Sequence, residues 1–255
     1  MKALIFAAGL GTRLKPLTDT MPKALVPVDG HPLLWHVIEK LKAAGINDIV
    51  INVHHFPDMI VDYLKENDNF GVNIQVSDER DFLRETGGGI KYAEPLLGRE
   101  SDFLVHNVDI LSNLDLGWLR SVAVPDALAN LVVSDRTTKR YFLFRKSDLR
   151  LMGWTNIETG EVRTPFEDLD ASDCVRLAFS GIHIISGGIF EAFEKEKVGE
   201  KFSITDFYIK ACAEYPIYGI VPPDLRLMDV GKLDTLAAAD EFVRGCHEIA
   251  GRSLH

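Results

Sequence analysis

Lys2-Ala3-Leu4-Ile5-Phe6-Ala7-Ala8-Gly9-Leu10-Gly11-Thr12-Arg13-Leu14 is a short apolar run that breaks into a small-residue loop carrying two glycines and an arginine. Such a run, cut off by glycine, reads as a buried strand over residues 3–7. In open α/β sheets ligands bind at the carboxyl end of the strands. Glycine lets backbone N–H groups approach a phosphate with no Cβ in the way, and Arg13 offers a bidentate cation. Taken alone, the loop fits equally well a tight turn that binds nothing. A Walker loop is excluded, because it needs Gly-Lys-Ser/Thr after four intervening residues; a dinucleotide fingerprint is excluded because its third glycine is Leu14 here.

Working outward, apolar runs at 48–53, 73–77, 103–106 and 129–134 alternate with stretches of helical period. Leu33, Val37, Ile38 and Leu41 form one such stretch before Gly45, and Met59, Ile60, Tyr63 and Leu64 form another before Asn67. This alternation predicts an α/β protein with a Rossmann-like, mostly parallel mixed sheet sandwiched by helices. From Arg140 the texture changes. Residues 141–144 and 154–156 predict a small antiparallel ribbon on the substrate side, with Thr159-Gly160 as its turn. A strand at 179–185 and helices near 189–196, 205–214 and 233–247 complete the reading. No linker, low-complexity tract or internal repeat marks a boundary, so one domain over 1–255 is expected.

The chain has 255 residues, 46% hydrophobic and 26% charged, which excludes disordered and collagen-like classes. With 28 Lys+Arg against 38 Asp+Glu, its net charge of −10 repels nucleic acid and anionic membranes, so neither is expected as a partner. Any anionic ligand must therefore be gripped locally. Cys174, Cys212 and Cys246 are widely spaced, with no Cys-x-x-Cys pair; they predict no disulfide framework or zinc knuckle and point to a reducing cytoplasm. The amino-terminal apolar stretch ends at Gly9 and offers no signal-peptide cleavage site, and no segment approaches the roughly 18 apolar residues of a membrane span.

Pro22-Lys23-Ala24-Leu25-Val26-Pro27-Val28 holds a lysine between prolines in a stiff, apolar stretch. Either Lys23 is a positioned cation or it is simply exposed. Taken together, residues 7–14, Pro16-Leu17-Thr18 and residues 22–28 resemble the signature of the sugar-1-phosphate nucleotidylyltransferases, and the resemblance extends over nearly the whole chain. It implies a GT-A-like nucleotidyltransferase fold in which Ala8, Gly9, Gly11, Thr12 and Arg13 hold a nucleoside triphosphate and Lys23 bears on its α-phosphate.

Further down, Glu85-Thr86-Gly87-Gly88-Gly89 opens a predicted helix. Three glycines there imply that something lies against bare main chain, or else a strained helix start. The resemblance runs the nucleobase along Gly87 and Gly88, with Glu79 reading its edge. Asp109, beside Asn107 at the end of an apolar strand, suits a hard divalent ion or a helix cap. Asp229, in Asp229-Val230-Gly231, is either a second metal carboxylate or a helix N-cap. The resemblance implies Mg²⁺ on Asp109 and Asp229, with Arg13, Lys23 and Asp109 as the catalytic set. Where the family writes glycine before the first aspartate, this chain has Val108, and Pro165-Phe166-Glu167-Asp168 lacks the family's Glu-Lys-Pro lysine. His54, His55 and His183 have no metal-ligand spacing and read as core or surface histidines.

Phe179–Ile185 with Asp229-Val230-Gly231 resembles most the single-domain branch that makes UDP-N-acetylmuramic acid in cell-wall recycling. The implied partners are UTP and N-acetylmuramate 1-phosphate, handled in the cytoplasm by a monomer or small homo-oligomer. A sugar 1-phosphate is already an anionic nucleophile, so positioning and charge neutralisation suffice without a general base. Mannose-1-phosphate guanylyl transfer and phosphocholine cytidylyl transfer share the amino-terminal signature. A nucleotide-sensing module without turnover is the alternative of another class.

Overall fold

The computed structural model describes residues 1–252. In chain order the elements are β1 (Lys2–Phe6), β2 (Pro27–Val28), β3 (His31–Pro32), α1 (Leu33–Ala43), β4 (Asp48–Val53), α2 (Pro57–Glu66) and β5 (Asn73–Asp78). They continue with α3 (Glu85–Tyr92), α4 (Glu94–Leu97), β6 (Phe103–Asn107), β7 (Ile110–Ser112), α5 (Leu116–Val122), β8 (Ala129–Ser134) and β9 (Arg140–Arg145). The remainder is β10 (Leu151–Asn156), β11 (Glu161–Arg163), β12 (Cys174–Ile185), α6 (Ile189–Lys195), α7 (Ile204–Ala211), β13 (Ile217–Ile220), β14 (Leu227–Asp229) and α8 (Leu233–Arg252).

The residues form two compact units, each assembled from discontinuous stretches. The first holds Lys2–Leu83, His106–Leu116 and the chain from Leu225; the second holds Arg84–Val105 and Gly117–Asp224. The chain passes between them within helix starts, strands and short loops, which is why composition shows no linker.

In the first unit β4 pairs in parallel with β1 and with β5, through crossovers that contain α1 and α2. Parallel strands present their carboxyl ends at one edge. The register Phe6↔Asn52 and Asn52↔Ser77 therefore brings the ends of three strands level. Leu4, Ile5, Leu34, Ile38, Ile49 and Ile51 are buried and make this unit's core. Leu33, Leu34, Val37, Ile38 and Leu41 are the buried residues of α1, as its 3.6-residue period requires.

The second unit is a mixed sheet. β9, β10 and β11 form the expected antiparallel ribbon, and β12 pairs antiparallel with both β9 and β8. β13 adds in parallel to β8. The strand expected at 179–185 is the carboxyl half of the 12-residue β12, whose exposed Arg176 obscures the apolar pattern of its first half. Its ladder to β8 shifts between Phe179 and His183, where Gly181 has φ +80°. Only glycine enters that region without strain, so the strand bends there. His183 is buried and bonded to the Tyr208 hydroxyl (2.9 Å), a core histidine as read. All three cysteines are free. No helix of the described residues is long and apolar enough to cross a membrane.

His106, on β6, is fully buried and donates from Nδ1 to the Asn107 carbonyl (2.8 Å). Burial lowers its pKa from 6.5 to about 4, and the Lys40 ammonium acts in the same direction. The fold thus holds the neutral ring, whereas the unfolded chain takes up the proton. Its contribution is complete above about pH 6.5 and is lost as pH falls toward about 4. Urea midpoints of the wild type should fall between pH 7 and pH 5, and His106→Asn should flatten that difference while being less stable at both.

Candidate active site

Where β1 ends, Ala7 N–H (2.8 Å) and Ala8 N–H (3.2 Å) both donate to Asn52 Oδ1, and Asn52 Nδ2 donates to Glu79 Oε1 (2.8 Å). All three side-chain contacts are buried, so a single amide fixes the start of the loop. From Gly9 the chain turns outward, with open space around its Cα, and among the described residues nothing takes the N–H groups of Gly9, Leu10 and Gly11. Gly11 sits at φ +63°, and its carbonyl accepts from the Thr18 hydroxyl (2.8 Å) and the Leu14 N–H (2.8 Å). A Cβ on Gly11 would stand 2.8 Å from Thr18 Cγ2 and 3.1 Å from Lys23 Cβ. Conformation and close approach both require glycine here.

Prolines at 16 and 22 break this stretch into three single turns of 3₁₀ helix, Thr12–Leu14, Leu17–Asp19 and Lys23–Leu25, in place of a long helix. Leu14 is buried as the anchor of the first turn, while Thr12 and Arg13 are exposed on it. The third turn buries Lys23, whose side chain is 11% exposed, and Lys23 Nζ pairs with Asp109 Oδ2 on a carboxylate only 18% exposed. Lys23 is therefore a positioned cation rather than an exposed one.

The aspartates meet through a short ladder that sequence reading missed. β7 and β14 pair antiparallel with Asp229 opposite Ile110, and Val230 N–H donates to the Asp109 carbonyl (2.9 Å). Two residues 120 positions apart thus become neighbours. Asp229 closes β14 instead of capping α8. A Cβ at Gly231 would lie 2.6 Å from Asp229 Oδ1 and 2.8 Å from Arg13 Nη2. The guanidinium and the second carboxylate therefore meet over a residue with no side chain. Arg13, Lys23, Asp109 and Asp229 form one cluster beside Gly11, two cations against two carboxylates. Asn107 is half-buried next to it, and Val108 packs into the interior with its N–H on the Phe6 carbonyl (3.2 Å).

The donor set fits a hard divalent ion. Two carboxylates are what Mg²⁺ asks of a protein when phosphates and water supply its remaining oxygens. The Lys23 ammonium on Asp109 shows that a cation is accommodated at that oxygen. Among the described residues no group of three or more His, Cys, Asp or Glu gathers into a metal cage.

Three expected contacts take a different form. Gly87 and Gly88 are buried in α3, and both N–H groups donate to the Phe202 carbonyl (2.9 and 3.2 Å). A Cβ on Gly87 would strike the Phe202 ring, and one on Gly88 the Glu200 carbonyl. What lies on the bare main chain is the protein's own segment 200–202, so the closeness that these glycines allow is used for packing. Glu79 is fully buried, bonded to Asn52 behind the loop, and the Ala8 N–H is likewise committed to Asn52. Both belong to the frame that holds the loop. Asn52 itself was overlooked, although an amide ending the run Ile49-Val50-Ile51 is a polar group that a core strand must satisfy. His54 and His55 also serve the frame, bonding the Glu79 carbonyl (2.7 Å) and the Thr18 carbonyl (3.1 Å).

An open glycine loop, a positioned lysine and two adjacent carboxylates at the strand ends make an arrangement suited to handling phosphate. The chain belongs to the nucleotidyl transferase family, whose model matches residues 2–245. It is 33% identical over 245 residues, covering 93% of this chain and 95% of the relative, to the N-acetylmuramate alpha-1-phosphate uridylyltransferase of Caulobacter vibrioides. The enzyme of the same name from Neisseria meningitidis is 49% identical over 116 residues, 45% of this chain and 49% of that one. A mannose-1-phosphate guanyltransferase of Aspergillus oryzae is 45% identical over 113 residues, 44% of this chain and 31% of that one. Among solved structures, HddC from Yersinia pseudotuberculosis complexed with GMP-PN superposes with a TM-score of 0.74 at 22% identity, covering 95% and 99% of the two chains. UDP-glucose pyrophosphorylase complexed with UDP-glucose gives 0.74 at 20%, covering 96% and 98%. These two likenesses carry the fold. The enzyme class is that of the sugar-1-phosphate nucleotidyltransferases.

Gly231→Ala should push the Asp229 carboxylate and the Arg13 guanidinium apart and lower kcat/KM about 10²-fold, with little change in Tm. Asn52→Ala should instead act on stability, costing about 1–3 kcal/mol for each buried N–H left without an acceptor; a urea melt separates the two outcomes.

Proposed function

We propose that the chain transfers a uridylyl group from UTP to N-acetylmuramate 1-phosphate, giving UDP-N-acetylmuramate and pyrophosphate. The observation that carries this reading is the cluster of Arg13, Lys23, Asp109 and Asp229 beside the open Gly9–Gly11 amides. The base and the sugar rest on likeness to the Caulobacter enzyme along almost the full chain.

The amides of Gly9, Leu10, Gly11 and Thr12, with Arg13, hold the β- and γ-phosphates. Lys23 stabilises charge on the α-phosphoryl group. Asp109 and Asp229 would hold Mg²⁺, which supplies charge neutralisation at the phosphate oxygens when bound. The acceptor's phosphate oxygen, already anionic, attacks the α-phosphorus in line. The bond to the bridging oxygen breaks, and pyrophosphate leaves with that electron pair. No proton need be removed. On this reading the step belongs to the cytoplasm and to the recycling of wall sugars, a reading the free thiols support.

A phosphocholine acceptor is disfavoured by one contact. The Arg163 guanidinium already sits 4.1 Å over the Trp154 ring, the face that would otherwise receive a quaternary ammonium. A sensor without turnover would have no need to keep both carboxylates beside the buried lysine.

The test is pyrophosphate release with Mg²⁺ from each of four NTPs against N-acetylmuramate 1-phosphate, N-acetylglucosamine 1-phosphate, mannose 1-phosphate and phosphocholine. UTP with N-acetylmuramate 1-phosphate should give the highest kcat/KM; preference for GTP with mannose 1-phosphate refutes the assignment. Asp109→Asn should lower kcat about 10³-fold with an unchanged circular dichroism spectrum, and chelation of the metal should abolish turnover.

A further inference from the structure

The β7–β14 ladder that joins Asp109 to Asp229 is a two-stranded sheet of its own, with three registered pairs and, among the described residues, no strand of the main sheet beside it. So short a ribbon cannot hold its own direction. At the Asp109 end it is tied to β1, through the Val108 N–H on the Phe6 carbonyl (3.2 Å). At the other end the Ser112 carbonyl accepts from Nζ of Lys40 (3.0 Å), a residue of α1. The Ser112 hydroxyl is buried with no partner among the described residues, so α1 grips the main chain of the strand and not its side chain. All of these residues belong to the first unit.

Lys40 is a firm anchor. Its helix is locked in the core by Leu33, Leu34, Val37, Ile38 and Leu41, and Lys40 itself is half-buried. Burial lowers its pKa from 10.5 to about 8, while the charges of Cys246 on α8 and Asp115 beyond β7 act the other way. His106 on β6 faces the same ammonium, and Arg226 lies near Cys246. Desolvating an ammonium is costly, and an apolar side chain would fill the same space without that cost. What the charge adds is a stronger bond to a carbonyl three residues beyond Asp109, about 10 Å along the strand. Any tilt of the ladder at Ser112 is carried along that lever to both carboxylates.

We infer that Lys40 is a positioning residue for the transfer reaction: through the Ser112 carbonyl it fixes the ladder in the direction that sets Asp109 against Lys23 and Asp229 against Arg13. The inference rests on the role proposed above for the two carboxylates and adds the residue that aims them. The ammonium is present below about pH 8 and is lost above it. His106 is already neutral in that range, and burial pushes the Cys246 thiol up. The unfolded chain keeps the Lys40 proton up to about pH 10.5, so this group makes the fold more stable as pH rises from about 8 toward 10.5. Positioning and stability therefore run in opposite directions. The neutral amine is the weaker donor and loosens the ladder, while the fold as a whole is relieved of a desolvated charge.

The experiment follows the full chain as wild type, Lys40→Met and Lys40→Arg at about pH 7 and about pH 9, with two readouts. One is the hydrogen-exchange protection of the Val230 amide, whose N–H rests on the Asp109 carbonyl. The other is kcat with whichever NTP and phosphate acceptor the wild type turns over fastest. From pH 7 to pH 9 the wild type should lose about 3- to 10-fold in both, with the KM for the nucleotide little changed. Over the same range its urea midpoint should rise relative to that of Lys40→Met. Lys40→Met should already show the lower protection and kcat at pH 7, and Lys40→Arg, charged throughout, should abolish the alkaline loss. Should Lys40→Met not fold, the contrast between wild type and Lys40→Arg decides. Full Val230 protection in Lys40→Met, or the same alkaline loss of protection and kcat in Lys40→Arg as in the wild type, overturns the inference. A wild type inert toward every pair overturns the proposed function, and the Val230 amide then still decides whether Lys40 holds the ladder.

Discussion

One buried amide sets the geometry on which the site depends. Asn52 lies where β1, β4 and β5 end together, and it satisfies two backbone donors with its oxygen and a carboxylate with its nitrogen. A polar group at that depth persists only when fully bonded, which makes the arrangement all-or-none. The chain therefore leaves the sheet at Ala8 in one direction, and every later element of the loop inherits that direction. Gly11, Thr18 and Lys23 then pack on one another closely enough that a single methyl group at Gly11 would not fit.

The second constraint is electrostatic. An acidic protein must gather positive charge locally to hold a polyanion, and a buried ion pair such as Lys23–Asp109 adds little net stability because desolvation offsets attraction. Two cations set among two carboxylates keep the site near neutrality. The β7–β14 ladder makes this work by placing Asp109 and Asp229 side by side, and Gly231 leaves the room in which Arg13 approaches Asp229.

Much of this was legible in the residue order. The alternating apolar runs reported the parallel β1–β4–β5 arrangement, and the change of texture at Arg140 reported the ribbon. Residues 7–14 and 22–28 located the loop and its lysine, because glycine and proline announce backbone geometry directly. What stayed hidden depended on distant partners. The three-residue strands β7 and β14 are too short for any periodicity, so the pairing that joins the two aspartates could be learned only from the fold. The glycines of α3 were correctly read as a place where something lies close, but sequence carries no sign of whether the visitor is a ligand or residues 200–202. The two units could not be told apart, since the chain crosses between them with no linker.

Those α3 glycines reach further than packing. Segment 200–202 rests on Gly87 and Gly88, the next residues start α7 with Ile204 N–H on the Thr86 hydroxyl (3.0 Å), and one turn later Asp206 restrains Arg163 against Trp154. The Arg163–Trp154 stack is thereby mechanically linked to a helix that contributes no wall to the cavity around it. A bulkier side chain at position 87 or 88 would therefore be felt as far away as the ribbon, where it would loosen the hold of Asp206 on Arg163.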